Sequence, residues 1–544
     1  MSLRTSRRHV LPFAAVAVAA SLLAGVAQAD TSTPADPKLI ADIDAILSTP
    51  ALANAQAGVQ VIDTTTGQVV YQRGQNALLT PASVLKTVTT AAALDLLGEN
   101  HVFTTQVLTS GTRYGSVLVG DVVLRGGGDP SLRPADLDAL AKQVAAAGIT
   151  TVTGRVLTDA TRYDSVPLGP GWAWDDEPYS YSPQISALTV APDSEYSMDT
   201  VKVTVTPTTA GQPAKVTTFP AEAPVKFTGQ ITTGAAGSGN SSGVERKRGV
   251  NEIALTGSLA AGAAPVDSLV TVEGPAAYTG EVFNGALERA GVDVVRPAKA
   301  ASGTETTQPL ASHDSEPLGK LIVPMLKISN NGIAEHLIKE IGKVKGGQGT
   351  WATGSAQVNG FLKANGLELP TGRQVDGSGL SRYDLVTPGK LASLLDLATR
   401  KPWFKTWYDA LPVAGNPERM VGGTLAARMR GTAAENNVHA KSGSMSGVDN
   451  LIGYATAPDG RRLAFSAMMN NFPGARPRFV LDAIAVRLAT GPAPAAPAAG
   501  SNAPAKSGQN APAARSFQAP SSASPEAALV PATRWEECET LGRC

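Results

Sequence analysis

Cysteine is almost missing from this chain: of 544 residues only Cys538 and Cys544 carry a thiol, both within the last seven positions. The body can therefore hold neither a thiol nucleophile nor a disulfide framework. The pair can close a small loop or join two chains, and neither arrangement bears on the chemistry. Histidine is scarce too, five residues without a metal-ligand spacing, and His336 beside Glu335 reads as packing or surface on a helix. No metal and no organic cofactor is indicated. Net charge is absent, 46 basic against 46 acidic residues, so no basic field points to nucleic acid and no acidic excess to a solvating chain. Long apolar runs are missing with one exception. Val10 to Val26, interrupted by Pro12, follows Arg4, Arg7 and Arg8 and precedes Ala27-Gln28-Ala29, the small-x-small form of a cleavage site. Residues 1–29 thus read as a signal peptide, the protein as exported, and the mature chain as lacking a transmembrane anchor. Ser6-Arg7-Arg8 followed by Val10-Leu11 leaves both the general and the twin-arginine export routes open.

What is present is enough apolar material, 43% of residues, to fill real cores, in a length that suits about three domains. Asp36 to Leu47 has helical periodicity, with Leu39, Ile40, Ile43 and Ile46 on one side. Ala57 to Asp63 and Gln68 to Gln72 read as a hairpin. From Val102 the pattern turns to strands and glycine turns, with helix at Asp136 to Ala147 and strand at Gly154 to Asp159. Val190 to Thr304 is rich in Val, Thr, Ala and Gly and reads as exposed strands, with a flexible loop from Thr232 to Arg248. Helical pattern returns at Leu318 to Val344 and Thr387 to Ala398. Three strands, Val438 to Ser444, Leu451 to Ala457 and Leu463 to Met469, and a helix from Arg476 to Leu488 follow. Beyond Gly491 an Ala/Pro/Ser tail cannot bury a core and is expected to be disordered.

Thr80 to Leu97 is the organising stretch. Thr80 suits an N-cap, Pro81 the first helical position and Gly98 a C-cap, so Ser83 is expected in the first turn, where free N–H groups and the helix dipole favour an oxyanion. Lys86 follows three residues later on the same face and can act as the base that a weak serine nucleophile needs. Downstream, Ser329-Asn330-Asn331 sits at a turn or helix start. Lys441-Ser442-Gly443 lies on a strand, where Gly443 admits a second backbone, expected to be that of a peptide substrate.

S-x-x-K, S-x-N and K-[ST]-G in this order resemble the penicillin-recognising serine acyl transferases. The 246 positions between Ser83 and Ser329 require an insertion that a compact beta-lactamase would not carry. LRGGGDPSL at Leu124 to Leu132, GPGWAWDDEPYSYSPQISAL at Gly169 to Leu188, DGSGLSRYDLVTP at Asp376 to Pro388, GGTLAARMRGT at Gly422 to Thr432 and VHAKSGSMSGVDNLIGYA at Val438 to Ala455 narrow the likeness. The chain resembles the D-alanyl-D-alanine carboxypeptidase/endopeptidases of peptidase family S13, the class C or type-4 low-molecular-mass penicillin-binding proteins.

The resemblance implies an α+β fold in which a five-stranded antiparallel sheet flanked by helices forms a transpeptidase-like domain from residues 30–105 and 306–490. A second, β-rich domain is expected at 106–189 and 265–305, a third at 190–264, and the tail at 491–544. It implies acyl transfer from peptidoglycan stem peptides, covalent inhibition by beta-lactam antibiotics, and an extracellular or cell-wall location, periplasmic where an outer membrane exists. Ser83 would be the nucleophile and Lys86 its base. Ser329 would relay a proton, Asn331 would hold the substrate amide and Lys86, and Lys441 would supply a second charge. Ser442 would bind the terminal carboxylate, and the N–H groups of Ser83 and Ser444 would form the oxyanion hole. Asp176, Tyr181, Arg382 and Met445, with Trp174, match a pocket for the free end of diaminopimelate. A beta-lactamase, a catalytically silent wall-peptide-binding protein and a Ser-His-Asp esterase are the rival readings; the esterase is disfavoured because no G-x-S-x-G elbow is expected in the chain.

Overall fold

The first helix, α1 (Pro37–Leu47), starts where the sequence places it, because the Asp36 side chain accepts the Lys38 N–H at 2.9 Å and Pro37 needs no partner for a missing N–H. Its inner stripe is Leu39, Ile43 and Leu47, spaced four apart; Ile40, expected on that stripe, is 37% exposed. The computed structural model describes residues 36–301, 308–368 and 372–491. The expected signal peptide, the tail beyond Gly491 and both cysteines lie outside them.

Five strands, β1 (Gln56–Asp63), β2 (Gln68–Arg73), β3 (His439–Met445), β4 (Val448–Thr456) and β5 (Arg462–Asn470), form one antiparallel sheet in the order β3-β4-β5-β1-β2. The two chain ends meet in its middle, where β1 pairs with β5 from Gln56 opposite Asn470 to Asp63 opposite Leu463. The other principal helices around it are α2 (Lys86–Leu96), α3 (Leu318–Lys327), α4 (Asn331–Gly346), α5 (Trp351–Ala364), α6 (Pro388–Ala398) and α7 (Arg478–Thr490). Strand β5 shows how both faces are filled. Leu463, Phe465, Ala467 and Met469 pack with α1 and α7, whereas Ala464 and Met468 join the core made with α2 to α6. That alternation is the period-two geometry of a strand buried on both sides.

The organising stretch departs from its expected shape. Ser83 sits in a short 3-10 turn, Ala82–Leu85, and the α-helix begins only at Lys86. Thr80 does not cap it. The Thr80 N–H donates to Asn470 Oδ1 at 2.7 Å, and Asn450 Nδ2 donates to the carbonyls of Thr80 and Pro81 at 3.0 and 2.7 Å. The sheet, not a cap, therefore fixes the entry to the turn. Gly98 does close the far end, at φ +88° with its N–H on the Leu94 carbonyl.

Between α2 and α3 lies a mixed sheet that includes Thr104–Thr109, Val122–Arg125, Thr151–Asp159, Asp293–Ala301 and Gln308–Asp314, with smaller sheets beyond it. Val122–Arg125 and Thr151–Asp159 run parallel, which the strand-and-turn reading did not anticipate. Pro275–Arg289, expected as strand, is a helix whose Tyr278, Val282, Phe283, Ala286 and Leu287 are buried at helical spacing. The supposed flexible loop from Thr232 to Arg248 carries strands Thr232–Gly234 and Gly243–Arg246, and Arg246 is buried on Glu177 and Thr271. Among the described residues no helix is long and apolar enough to cross a membrane.

Candidate active site

Three separate stretches converge on Ser83. Lys86, fully buried, donates to Ser83 Oγ at 2.9 Å, to Asn331 Oδ1 at 2.5 Å and to the Ser378 carbonyl at 2.9 Å. Asn331 opens α4 and is oriented in turn, its Nδ2 donating to the Tyr181 carbonyl at 2.7 Å. Asn330, the variable middle residue of the motif, caps α4 through the Ile333 N–H and ties Glu195 and Tyr196 to it through Nδ2. Residues 181, 195 and 196 are thus tied directly to the start of α4.

Lys441, also fully buried, donates to Ser329 Oγ at 2.9 Å and to the Ser442 carbonyl at 2.8 Å. Ser329 holds φ +62° and Ala82, next to Ser83, holds φ +47°. Non-glycine residues in this region cost on the order of 1 kcal/mol or more each and persist where surrounding structure over-determines them. Gly443 has the role expected of it toward a different partner. A Cβ there would lie 2.7 Å from the Pro81 carbonyl and 3.0 Å from the Ser83 nitrogen, so the backbone it admits is the serine turn itself.

Strand β3 lies at the sheet edge and faces this turn with Lys441 and Gly443 on one side and Ser442 and Ser444 on the other. Ser442 Oγ bonds Thr424 Oγ1 at 2.9 Å, and Ser444 Oγ donates to Asp449 Oδ1 at 3.0 Å across the hairpin. Burial raises the Asp449 carboxyl above the usual range, against the pull of Arg428, Arg478 and Arg476. Thr424, Ser378 and Asn450 were missed by sequence reasoning. Ser378 acts through its carbonyl, which has no sequence signature, while GGT at 422–424 and DGSG at 376–379 had been noticed only as family-like stretches.

The outer residues are arranged differently. Tyr181 donates to Asp176 Oδ1 at 2.8 Å, and Arg382, exposed, donates to the Ser446 carbonyl at 3.2 Å. Burial, with Asp175 adding to it, lifts the Asp176 carboxyl, while Tyr181 and the Arg382 charge pull it back. Met445 is buried against Ala82 and Val448. Trp174 is 72% exposed, and its ring is covered by the Arg248 guanidinium at 3.9 Å. His336 is buried between the carbonyls of Gly332 and Ser186, and desolvation pushes it down to about 4, as fits a packing residue. Gly239 to Gly243 spells G-x-S-x-G, but its exposed Ser241 precedes a strand and bonds Ser258, so it is no strand-to-helix elbow.

Residues 39–490 match the family described as D-Ala-D-Ala carboxypeptidase 3 (S13). The chain is 46% identical over 469 residues to a D-alanyl-D-alanine carboxypeptidase of Actinomadura sp. (strain R39), covering 86% of this chain and 87% of the relative. It is 27% identical to D-alanyl-D-alanine carboxypeptidase DacB of Haemophilus influenzae, covering 74% and 83%. The crystal structure of penicillin binding protein 4 (dacB) from Haemophilus influenzae superposes with a TM-score of 0.70 at 24% identity, over 81% of this chain and 97% of that one. That likeness establishes the shared fold. The same protein complexed with a beta-lactam superposes at 0.65, over 80% and 94%. On the span of the family match and the 46% identity, this chain belongs to the D-Ala-D-Ala carboxypeptidase 3 (S13) family.

Proposed function

We propose that this chain is a serine DD-peptidase of peptidoglycan metabolism that forms its acyl-enzyme on Ser83. The observation that carries the reading is the seat of Lys86. Lys86 Nζ is held on Asn331 Oδ1 and the Ser378 carbonyl and lies 2.9 Å from Ser83 Oγ, within reach of the serine proton. Lys86 is thereby poised to accept the serine proton as Oγ attacks the penultimate D-alanine carbonyl. The backbone N–H groups of Ser83 and Ser444 stabilise the oxyanion. Ser329, held by Lys441, relays to the leaving D-alanine amine the proton that Lys86 took from Ser83, and water then hydrolyses the ester. Lys441 and the paired hydroxyls of Ser442 and Thr424 receive the terminal carboxylate.

A beta-lactam presents a strained amide and a carboxylate to the same groups and acylates Ser83. The second substrate is a D-Ala-diaminopimelate cross-link, with the free end of diaminopimelate between Asp176 and Arg382, and with Tyr181, Met445 and Trp174 around the aliphatic stem. Residues 1–29 direct export, where the peptidoglycan lies. The chemistry requires no cofactor.

The test is release of free D-alanine from a diaminopimelate-containing pentapeptide by the purified mature chain, beside Ser83→Ala and a penicillin-treated sample. Release by the wild type alone supports the reading. Release that survives in Ser83→Ala, or no release from a protein that penicillin labels, contradicts the carboxypeptidase assignment.

A further inference from the structure

Behind Lys86 lies a group of carboxyls that the proposed reaction does not use. Glu335, Asp376 and Asp384 are all fully buried. Glu335 stands one turn after Asn331 on α4 and accepts the N–H groups of Gly377 and Ser378, at 3.0 and 2.7 Å, and the Trp351 indole N–H at 2.6 Å. Asp376 accepts the N–H groups of Gly379 and Ser381 at 2.7 Å each and the Trp172 indole at 3.0 Å. Asp384 Oδ1 accepts the Val375 N–H at 2.7 Å, while its Oδ2 is buried with no donor to receive. These carboxyls clamp one tight loop. Its glycines are dictated by contact, since a Cβ on Gly377 would lie 2.3 Å from the Ala334 carbonyl and one on Gly379 1.9 Å from the Ala82 carbonyl. The loop is wedged between α4 and the serine turn, and the carbonyl it presents, that of Ser378, is the one that takes a hydrogen bond from Lys86.

We infer that Glu335 is a positioning residue for Lys86: through the Ser378 peptide it fixes the direction of the amine toward Ser83, and through its charge it decides when that amine gives up its proton.

The geometric half follows from the chain of bonds. Glu335 holds the Ser378 N–H, and the same residue's carbonyl holds Lys86 Nζ, so a displacement of the carboxyl is passed to the amine across a single residue. The electrostatic half follows from the surroundings. Three neighbouring carboxyls in a dry site cannot all ionise. Burial first, and then the Asp376 charge, push Glu335 up to about 7, and the same two causes hold Asp384 well above the usual carboxylate range. The groups that face Glu335 are few. Asp376 and Asp384 come from the loop and Trp351 from α5, while Lys86 on α2 is reached through the Ser378 peptide. Lys339 comes from α4 itself, already bonded to Asp164 at 2.7 Å and lying over the Trp351 ring. Burial and the Asp376 charge therefore keep Glu335 neutral to a higher pH than an ordinary carboxyl. Once charged, it opposes loss of the Lys86 proton; while neutral, it does not.

The inference rests on the acylation reading for its kinetic consequence but not for its titration, so both are measured. The Cε resonance of Lys86 in 13C-lysine-labelled protein, assigned by its loss in Lys86→Met, reports the amine's titration without any reaction. The pH profile of covalent labelling by a fluorescent penicillin reports acylation. Glu335→Gln removes the charge and keeps the side-chain length. Its expected effect is a shift of both the Lys86 titration and the acid limb of labelling to lower pH by about one unit, the scale of a single charge within a few bonds at intermediate effective dielectric. Trp351→Phe deletes a donor that favours ionised Glu335, leaves the carboxyl and its loop in place, and is expected to shift both in the same direction by less. A role confined to holding the loop would lower the labelling rate without moving either midpoint. Unmoved midpoints in folded Glu335→Gln, or in Trp351→Phe if the former does not fold, overturn the inference. A wild type that takes no penicillin at any pH overturns the Ser83 reading instead, and the Lys86 titration still decides the role of Glu335.

Discussion

The seat of Lys86 and the surroundings of Asp176 and Arg382 are built on opposite terms. Lys86 is fully buried, bonded to three acceptors, and backed by carboxyls that are themselves held by backbone N–H groups and indoles. Arg382 is exposed and makes one long contact to a carbonyl, and Trp174 stands in solvent beneath Arg248. A catalytic base has to be in place before the substrate arrives, because a loose base forfeits the advantage of fixed orientation. A recognition pocket can be completed by its ligand, whose ammonium and carboxylate supply the missing partners. Tyr181 serves both: its carbonyl orients Asn331 in the dry seat, and its hydroxyl holds Asp176.

If that contrast is right, substitutions in the seat abolish chemistry on every substrate, whereas those around Asp176 and Arg382 discriminate among substrates. Ser83→Ala is expected to have the largest effect, a loss of at least about 10⁴-fold in both D-alanine release and penicillin labelling, the scale on which removal of a nucleophile is felt. Lys86→Met follows, with a loss of about 10³-fold or more in the acylation rate. It also lowers the thermal midpoint, since Asn331 Oδ1 and the Ser378 carbonyl then lose a buried donor at about 1–3 kcal/mol each. Arg382→Ala tests the other side. We expect the KM for a diaminopimelate-bearing peptide to rise roughly 10- to 100-fold, the value of a lost charged hydrogen bond, with penicillin labelling nearly unchanged. Equal losses on both substrates would erase the distinction between the two. Thr424→Val has the smallest expected effect. It removes the partner of the Ser442 hydroxyl and is expected to slow turnover of carboxylate-bearing substrates by about tenfold while the fold, followed by thermal unfolding, stays intact.

How far the sequence could be read follows the same division between side chains and backbone. The sheet was legible because β1, β2 and the last three strands alternate or run apolar between turn residues, and strands from both chain ends complete one another. The meeting of Ser83, Lys86, Asn331, Ser329 and Lys441 was legible because serine, lysine and asparagine stand at motif spacings on helix starts and a strand. What stayed hidden is what backbone groups do. No letter in DGSG announces that the Ser378 carbonyl will bind a lysine, or that Asn450 and Asn470 will replace the expected Thr80 cap. The helix Pro275–Arg289 was lost in a background of Ala, Gly and Thr. Its apolar spacing is clear only once the flanking strands are known, and tertiary packing rather than propensity decides it. Gly443 shows a subtler gap. Sequence could state that a backbone would pass close by, but not which one.

The most direct measurement of the central claim is peptide mapping by mass spectrometry of the mature chain after reaction with penicillin, with Ser83→Ala alongside. The account predicts a single penicilloyl adduct on the peptide that carries Ser83, and none in the variant. An adduct on Ser329 or Ser442, or one that persists when Ser83 is replaced, would contradict it.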